Sequence, residues 1–151
     1  MLHISSEYKQ ILLQEFKFVT ERMSKARDPM EMMYFFSGLY SMTNRIINIE
    51  YDSDLAFIDM VLTVVYRHIK PTVDAMFAGD KTILLPDDYF ERLIQYVHEL
   101  AREIERTGSY YQPLRKIANL AYMSTGNGYY LMQKGIDLVG DSKRKSQKTL
   151  P

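Results

Sequence analysis

The side chains best suited to chemistry lie close together in the chain: His98, Glu99, Arg102, Glu103 and Arg106. Steps of three and four place such residues in one charged band along a helix. Arg102 and Arg106 could grip an anion there, since planar guanidinium groups match carboxylate and phosphate. The same spacing also describes a solvated face held by pairs worth about 0.2–0.5 kcal/mol each. Charge runs on helices are more often of that second kind. A solvated face is the favoured expectation.

Other chemistries are narrowed by what is missing. The chain has three histidines, His3, His68 and His98, and no cysteine. A di-iron carboxylate centre in a helical bundle needs paired Glu-x-x-His motifs. Val65 stands three residues before His68, and Gln95 three before His98, so no metal centre is expected. Without cysteine there are no disulfides, thiolate zinc sites or cysteine nucleophiles. Gly126-Asn127-Gly128 lacks the preceding strand, the lysine and the Ser/Thr of a phosphate-binding loop, and reads as a turn between helices. No catalytic residue is assigned, and no cofactor is expected.

Charge argues in the same direction. Nineteen basic and nineteen acidic side chains cancel, which does not favour wrapping nucleic acid. Lys143-Arg144-Lys145 with Lys148 makes residues 141–151 a basic tail, but no interleaved aromatics accompany it. Met1-Leu2-His3-Ile4-Ser5 lacks the build of a signal peptide. The most apolar stretch, Leu55 to Tyr66, is short and broken by Asp59, so no membrane span is expected. The cytoplasm is the expected compartment.

The elements that must position these residues are helical. Ser5 or Ser6 can cap a first helix to about Ala26, with Leu12, Phe16, Val19, Met23 and Ala26 on one stripe. Asp28-Pro29-Met30-Glu31 opens a second helix by cap, preset φ and capping box. Its predicted face is Met32, Phe35, Leu39, Met42, Ile46 and Ile49. Asp52 to Asp54 cap a third helix carrying Leu55, Ile58, Leu62, Val65 and Ile69. Pro71 is expected to kink or end it, with a short helical piece over Thr72 to Ala78 stopped by Gly79. Ile83, Leu84 and Leu85 are expected to tuck against the bundle. Asp88 and Glu91 form a second capping box for a fourth helix, with Phe90, Ile94, Val97, Leu100, Ala101 and Ile104 along it to Arg106. A fifth helix starts at Ser109 or Gln112 and runs through Leu114, Ile117, Ala118 and Ala121. Tyr129, Met132, Ile136 and Val139 predict a last helix ending at Gly140.

No window alternates with period two. The prediction is an all-α domain over 1–140, an antiparallel four-helix bundle with one or two short additional helices. Met30 to Phe36 is apolar at every position but one, which is too much for a single helix face. That excess, with the tyrosine pairs at 110–111 and 129–130, predicts contact with another subunit or partner.

Several segments resemble the cobalamin adenosyltransferases, a family of trimeric, ferritin-like helical bundles that bind ATP and a corrinoid. Gly38 and Asn44 echo that family's Gly…Asp-Glu-Leu-Asn run, with Ser41-Met42 in place of the acidic pair. Leu84-Leu85-Pro86-Asp87-Asp88 resembles its Ile-Leu-Pro-Gly-Gly helix entry. Arg102-Glu103-Ile104-Glu105-Arg106 resembles its arginine-rich helix, and Arg115-Lys116-Ile117-Ala118-Asn119 its Asn-Arg-Leu-Ser-Asp segment. The resemblance implies a ferritin-like bundle, a trimer (otherwise a dimer), and a ligand site of Arg102, Glu105, Arg106, Arg115, Lys116, Asn119 and Asn44 between subunits. The family's Gly/Thr-rich ATP-binding segment has no counterpart here, and Glu103 stands where the family places an arginine. The leading expectation is therefore a divergent, non-catalytic relative acting through self-association or partner binding. The alternative is an adenosyltransferase-like enzyme that binds ATP and a corrinoid.

Overall fold

A computed structural model describes residues 2–106 and 109–124. Among them are five helices: α1 (Ser6–Ser24), α2 (Pro29–Ile49), α3 (Ser53–Phe77), α4 (Tyr89–Arg106) and α5 (Tyr111–Met123). The fold is all-helical. The segment predicted as a last helix, the Gly126-Asn127-Gly128 turn and the basic tail lie outside the described residues.

The predicted caps explain most of the boundaries. Ser5 Oγ accepts from the Tyr8 amide, Asp28 Oδ1 from the Glu31 amide at 2.9 Å, and Asp52 Oδ1 from the Leu55 amide at 2.8 Å. Each satisfies an amide that the first helical turn leaves orphaned. Glu31 closes its box one residue further back than expected, accepting from the Arg27 amide at 3.3 Å. At the far end of α3 the chain leaves through Gly79 at φ 91°. The Gly79 amide reaches the Met76 carbonyl, and the Asp80 amide reaches that of Ala75. This crossed pair needs a left-handed residue where glycine stands.

Pro71 neither ends α3 nor separates a short piece from it; the helix is continuous to Phe77. A proline in a helix removes one amide and pushes the preceding carbonyls outward. The His68 carbonyl, three residues upstream, is met by the Ser124 hydroxyl at 3.0 Å, and Thr72 Oγ1 donates to the Ser124 carbonyl at 2.9 Å. The carbonyl that loses its amide donor is that of Arg67, and the contacts from Ser124 fall on its neighbours, tying the end of α5 to α3 beside the proline. That partner is fifty-six residues away, which local reading of Pro71 could not supply. At α4, the Asp88 carboxylate takes Arg92 Nε at 2.9 Å, while its expected box partner Glu91 lines the cleft toward α1.

The helices close into a ring. α1 packs on α2 and α4, α2 also on α3, and α5 stands between α3 and α4. Side-chain pairings give the directions. Tyr110, just ahead of α5, bonds Asp54 at the start of α3, and Ser124 bonds His68 further along it; α5 therefore runs parallel to α3. On α4, Tyr89 bonds the Leu120 carbonyl while Glu99 meets Lys116 at 3.2 Å, so α4 runs antiparallel to α5. Residues 78–88 carry the chain across to α4. The short fifth helix is a wall of the ring and supplies Leu114, Ile117, Leu120 and Ala121 to the core.

That core is one cluster drawn from all five helices. The α3 stripe, Leu55, Ile58, Leu62, Val65 and Ile69, is buried as its spacing predicts. On α2 the buried line is Met33, Phe36, Leu39, Thr43 and Ile46; Leu39 and Ile46 belong to the predicted face, and Met33, Phe36 and Thr43 stand beside it. Wedged between α1 and α3, α2 needs a wide apolar arc, and Met30, Met32, Phe35 and Met42 pack as its shoulders. Ile49 is 66% exposed. On α4, Tyr89 and Leu93 take the innermost positions, with Phe90 and Ile94 half-buried beside them. Leu84 is exposed, whereas Ile83 and Leu85 are half-buried.

Candidate functional site

The charged band on α4 borders a cleft against α1. Its upper part, about 450 Å³, is lined by Thr20, Glu21 and Ser24 on one side and by Glu91, Gln95, His98, Glu99 and Arg102 on the other. Lower down, Leu13 and Lys17 face Ala101, Arg102 and Glu105. Around the two parts Glu21, Glu91, Glu99 and Glu105 oppose Lys17 and Arg102, so carboxylates outnumber fixed cations. With Glu99 paired to Lys116, three carboxylates still face two cations, and that lining does not favour an anion.

The residues implied by resemblance are divided among separate places. Arg102 and Glu105 look toward α1. Lys116 reaches over from α5 and pairs with Glu99 of the cleft's edge at 3.2 Å, its ammonium 5.5 Å from the Tyr96 ring centre. Arg106 is exposed at the end of α4, while Arg115 and Asn119 are half-buried on α5. Asn44 stands on α2, which packs on α1 and α3, and accepts from Asn48. No group of three or more acidic or histidine side chains able to hold a metal is present among the described residues. No helix among them is long and apolar enough to cross a membrane.

A different surface stands out, and the charge pattern did not point to it. Between the parallel helices α3 and α5 runs a trough of about 240 Å³, lined by Met60, Val61, Val64, Val65, His68, Ala118, Ala121 and Tyr122. Ala118 and Ala121 make it by their small size, since longer side chains would fill the groove between the two helices. Its rim is apolar and open: Met60 is 54% exposed, Val64 41% and Tyr122 43%. Phe57, one turn below Met60, extends the strip, and the Tyr110 ring sits 6.2 Å from it. His68 closes the upper end, its ring 5.7 Å from that of Tyr122 and its Nδ1 2.9 Å from the Val64 carbonyl. We refer to this strip as the seam. A signal for it exists in the sequence. Phe57, Met60, Val64 and His68 follow one another by three or four, forming a second stripe on a helix whose first stripe is the core.

The polar groups next to the seam are structural. Tyr110 donates to Asp54 Oδ1 at 2.6 Å. That bond holds the Asp54 carboxyl below the usual carboxylate range. Burial, together with the adjacent carboxylate, pushes the Tyr110 phenol up to about 12. Tyr89 is driven up by burial among core residues while its hydroxyl donates to the Leu120 carbonyl. Asp52 caps α3 and also accepts from the His3 amide at 2.8 Å, tying the segment ahead of α1 to the start of α3.

Compared with protein-family models, curated proteins and solved structures, the chain matches none. The likeness to adenosyltransferases therefore rests on the short segments quoted above and on nothing else.

Proposed function

We propose that this chain is a non-catalytic association domain whose α3/α5 seam accepts an amphipathic helix. One observation carries the reading: Phe57, Met60, Val64 and Tyr122 form a continuous open apolar strip around a trough floored by alanines. Helix-in-groove recognition uses a surface of this build, with anchors at steps of three and four meeting a hydrophobic groove. The excess expected on α2 contributes less, because Met30, Met32 and Phe35 pack against the core and Tyr34, at 71%, is the one strongly exposed member of that run.

When the incoming helix belongs to a second copy, the product is a homo-oligomer, a trimer if the family resemblance extends to assembly and a dimer otherwise. On this reading α1 to α4, alternating in direction, are the ferritin-like four-helix bundle, and α5 is an insertion that creates the seam between itself and α3. A reducing cytoplasm suits a chain without cysteine.

Methionine oxidation in the full chain tests the reading. If a helix occupies the seam, Met60 oxidises several-fold more slowly than in Val64→Arg, where a charge at the rim expels the occupant. Equal and fast oxidation in both proteins overturns it. The second reading, an ATP- and corrinoid-binding enzyme using Arg102 and its neighbours, has the cleft's carboxylates against it. Calorimetric heat on titrating magnesium-ATP, abolished in Arg102→Gln, would restore it.

A further inference from the structure

We propose that the seam's occupant is α3 of a second copy, laid antiparallel along it so that two chains pair about a two-fold axis at the level of Leu62. The inference rests on the reading that the seam accepts a helix, and names that helix.

The layout of the seam about that level is the first argument. Tyr110 bonds Asp54 and Ser124 bonds His68, each pair fifty-six residues apart. Each residue of α5 therefore stands beside the α3 residue fifty-six before it, and Ala118, on the floor of the trough, is level with Leu62. On α3, Met60 lies two residues below this level and Val64 two above. Phe57 lies five below and Arg67 five above. A half-turn exchanges the members of each pair. Met60 then meets Val64 of the second copy, and Phe57 meets Arg67 of the second copy.

An isologous contact needs this self-complementarity, because the same patch faces itself. α3 supplies both halves of the fit, with Met60 and Val64 as the ridge and the alanine floor beside them as the groove. Ala118 stands where the two copies come closest, and its small side chain lets the incoming helix sit down between α3 and α5.

Charge and ring chemistry choose the antiparallel direction. Arg67 is exposed near the upper end, where the His68 and Tyr122 rings lie 5.7 Å apart. Phe57 offers a partly exposed ring at the lower end. Guanidinium groups are drawn to aromatic faces, and aromatic rings to one another, and the half-turn makes this contact twice. Arg115, level with Asp59, is carried to within one residue of the level of Tyr122 of the second copy, again a cation beside a ring. A parallel pairing would instead set Arg67 against Arg67 and Asp54 against Asp54, like charges that repel in a partly desolvated contact. Lys70 and Asp74, further up α3, are paired with each other at 2.6 Å and add no bias.

The contact is a small one. From Phe57 to Arg67 the strip runs roughly 15 Å. One helix and one groove per copy place it near the low end of specific interfaces, about 1,200 Å² in total. Association is expected in the micromolar range, so the pair separates on dilution.

The absence of cysteine lets cross-linking report the register. In the antiparallel pair, the two Phe57 positions lie roughly 15 Å apart along the helices, beyond the ~7 Å between Cα atoms that a disulfide spans. The two Arg67 positions are separated equally. An equal mixture of full-length Phe57→Cys and Arg67→Cys is therefore expected to give disulfide-linked dimer about ten-fold faster than either variant alone. Faster coupling in Phe57→Cys alone would overturn the antiparallel direction, and equal rates in all three samples would overturn a defined register. Sedimentation of the parent should show a reversible monomer–dimer equilibrium that Val64→Arg abolishes. Arg67→Glu, at an exposed position outside the core, should weaken it about ten-fold even if Val64→Arg fails to fold. A dimer indifferent to both substitutions pairs through another face and overturns the proposal. A parent that stays monomeric throughout the micromolar range overturns it too, and Met60 then separates the two readings. If Met60 of that monomer oxidises several-fold more slowly than in Val64→Arg, another helix fills the seam and the dimer alone falls. Fast oxidation removes both.

Discussion

Tyr110 and Asp54 hold the lower ends of α5 and α3 together through one hydrogen bond of 2.6 Å. A bond to a charged acceptor is worth about 1.5–3 kcal/mol, and partial exposure trims the expected cost of Tyr110→Phe to about 1–2 kcal/mol at neutral pH. The pH dependence follows from the two shifts. Asp54 is lowered, so its contribution is complete above the ordinary carboxylate value of about 4 and fades as pH falls through the depressed one. Tyr110 is raised to about 12, so its contribution is complete below about pH 10 and lost as pH climbs through 12. The stability gap between parent and Tyr110→Phe, measured by urea unfolding followed by circular dichroism, is therefore widest at neutral pH and closes on both sides. A gap of equal width at pH 6 and above pH 12 would rule out this linkage. Residues of this kind were hard to read from sequence. Thr43 is fully buried on α2, and its hydroxyl donates to Asp59 of the neighbouring helix at 2.5 Å, a pairing that the sequence of α2 alone does not show.

At the scale of elements, local chemistry wrote the helix starts and tertiary contacts wrote the rest. Ser5, Asp28 and Asp52 each capped as their types demand. The α3 stripe was legible because Leu55, Ile58, Leu62, Val65 and Ile69 keep one phase along the helix, apart from the shorter second stripe of Phe57, Met60 and Val64. The α2 stripe was not, because a nearly all-apolar run carries several phases and only its two neighbours choose among them. Gly38 shows how closely those neighbours approach: a Cβ there would lie 3.3 Å from Val19 Cγ2 and 3.4 Å from Glu15 Oε1. Gly38→Ala gains about 1 kcal/mol of helix propensity against that tight contact, and is expected to stay within about 1 kcal/mol of the parent. Gly38→Leu pushes α1 away and is expected to cost about 1–3 kcal/mol by overpacking; equal melting points for the two variants would contradict the close approach. Beside Pro71, Ser124 meets the His68 carbonyl and ties the end of α5 to α3. Ser124→Ala should cost about 1 kcal/mol and speed amide exchange over residues 121–124 more than elsewhere in α5; uniform exchange along that helix would deny Ser124 its linking role.

At the scale of the molecule, the periodicities predicted an all-helical chain but not how α5 would be used. Its placement between α3 and α4 depends on contacts made across more than thirty residues, such as Tyr89 to Leu120, which no periodicity encodes. The candidate site was displaced for the same reason. Charge drew attention to α4, whose band borders a cleft crowded with carboxylates, while the open apolar strip arises only where α3 and α5 lie side by side. The geometry separates stability from binding along a single helix. Leu62 is fully buried and Val64, two residues on, is 41% exposed. Leu62→Ala is expected to cost about 2–5 kcal/mol through lost packing and a cavity, and to leave the relative oxidation of Met60 in the folded state as it was. Val64→Arg removes little core, so global unfolding should move by no more than about 1 kcal/mol, while Met60 becomes reactive and any helix held in the seam is released. Urea unfolding and Met60 oxidation on the same two variants read the two properties independently. If Val64→Arg instead unfolded the chain as severely as Leu62→Ala, the seam would be core, and association would have to be sought on another face.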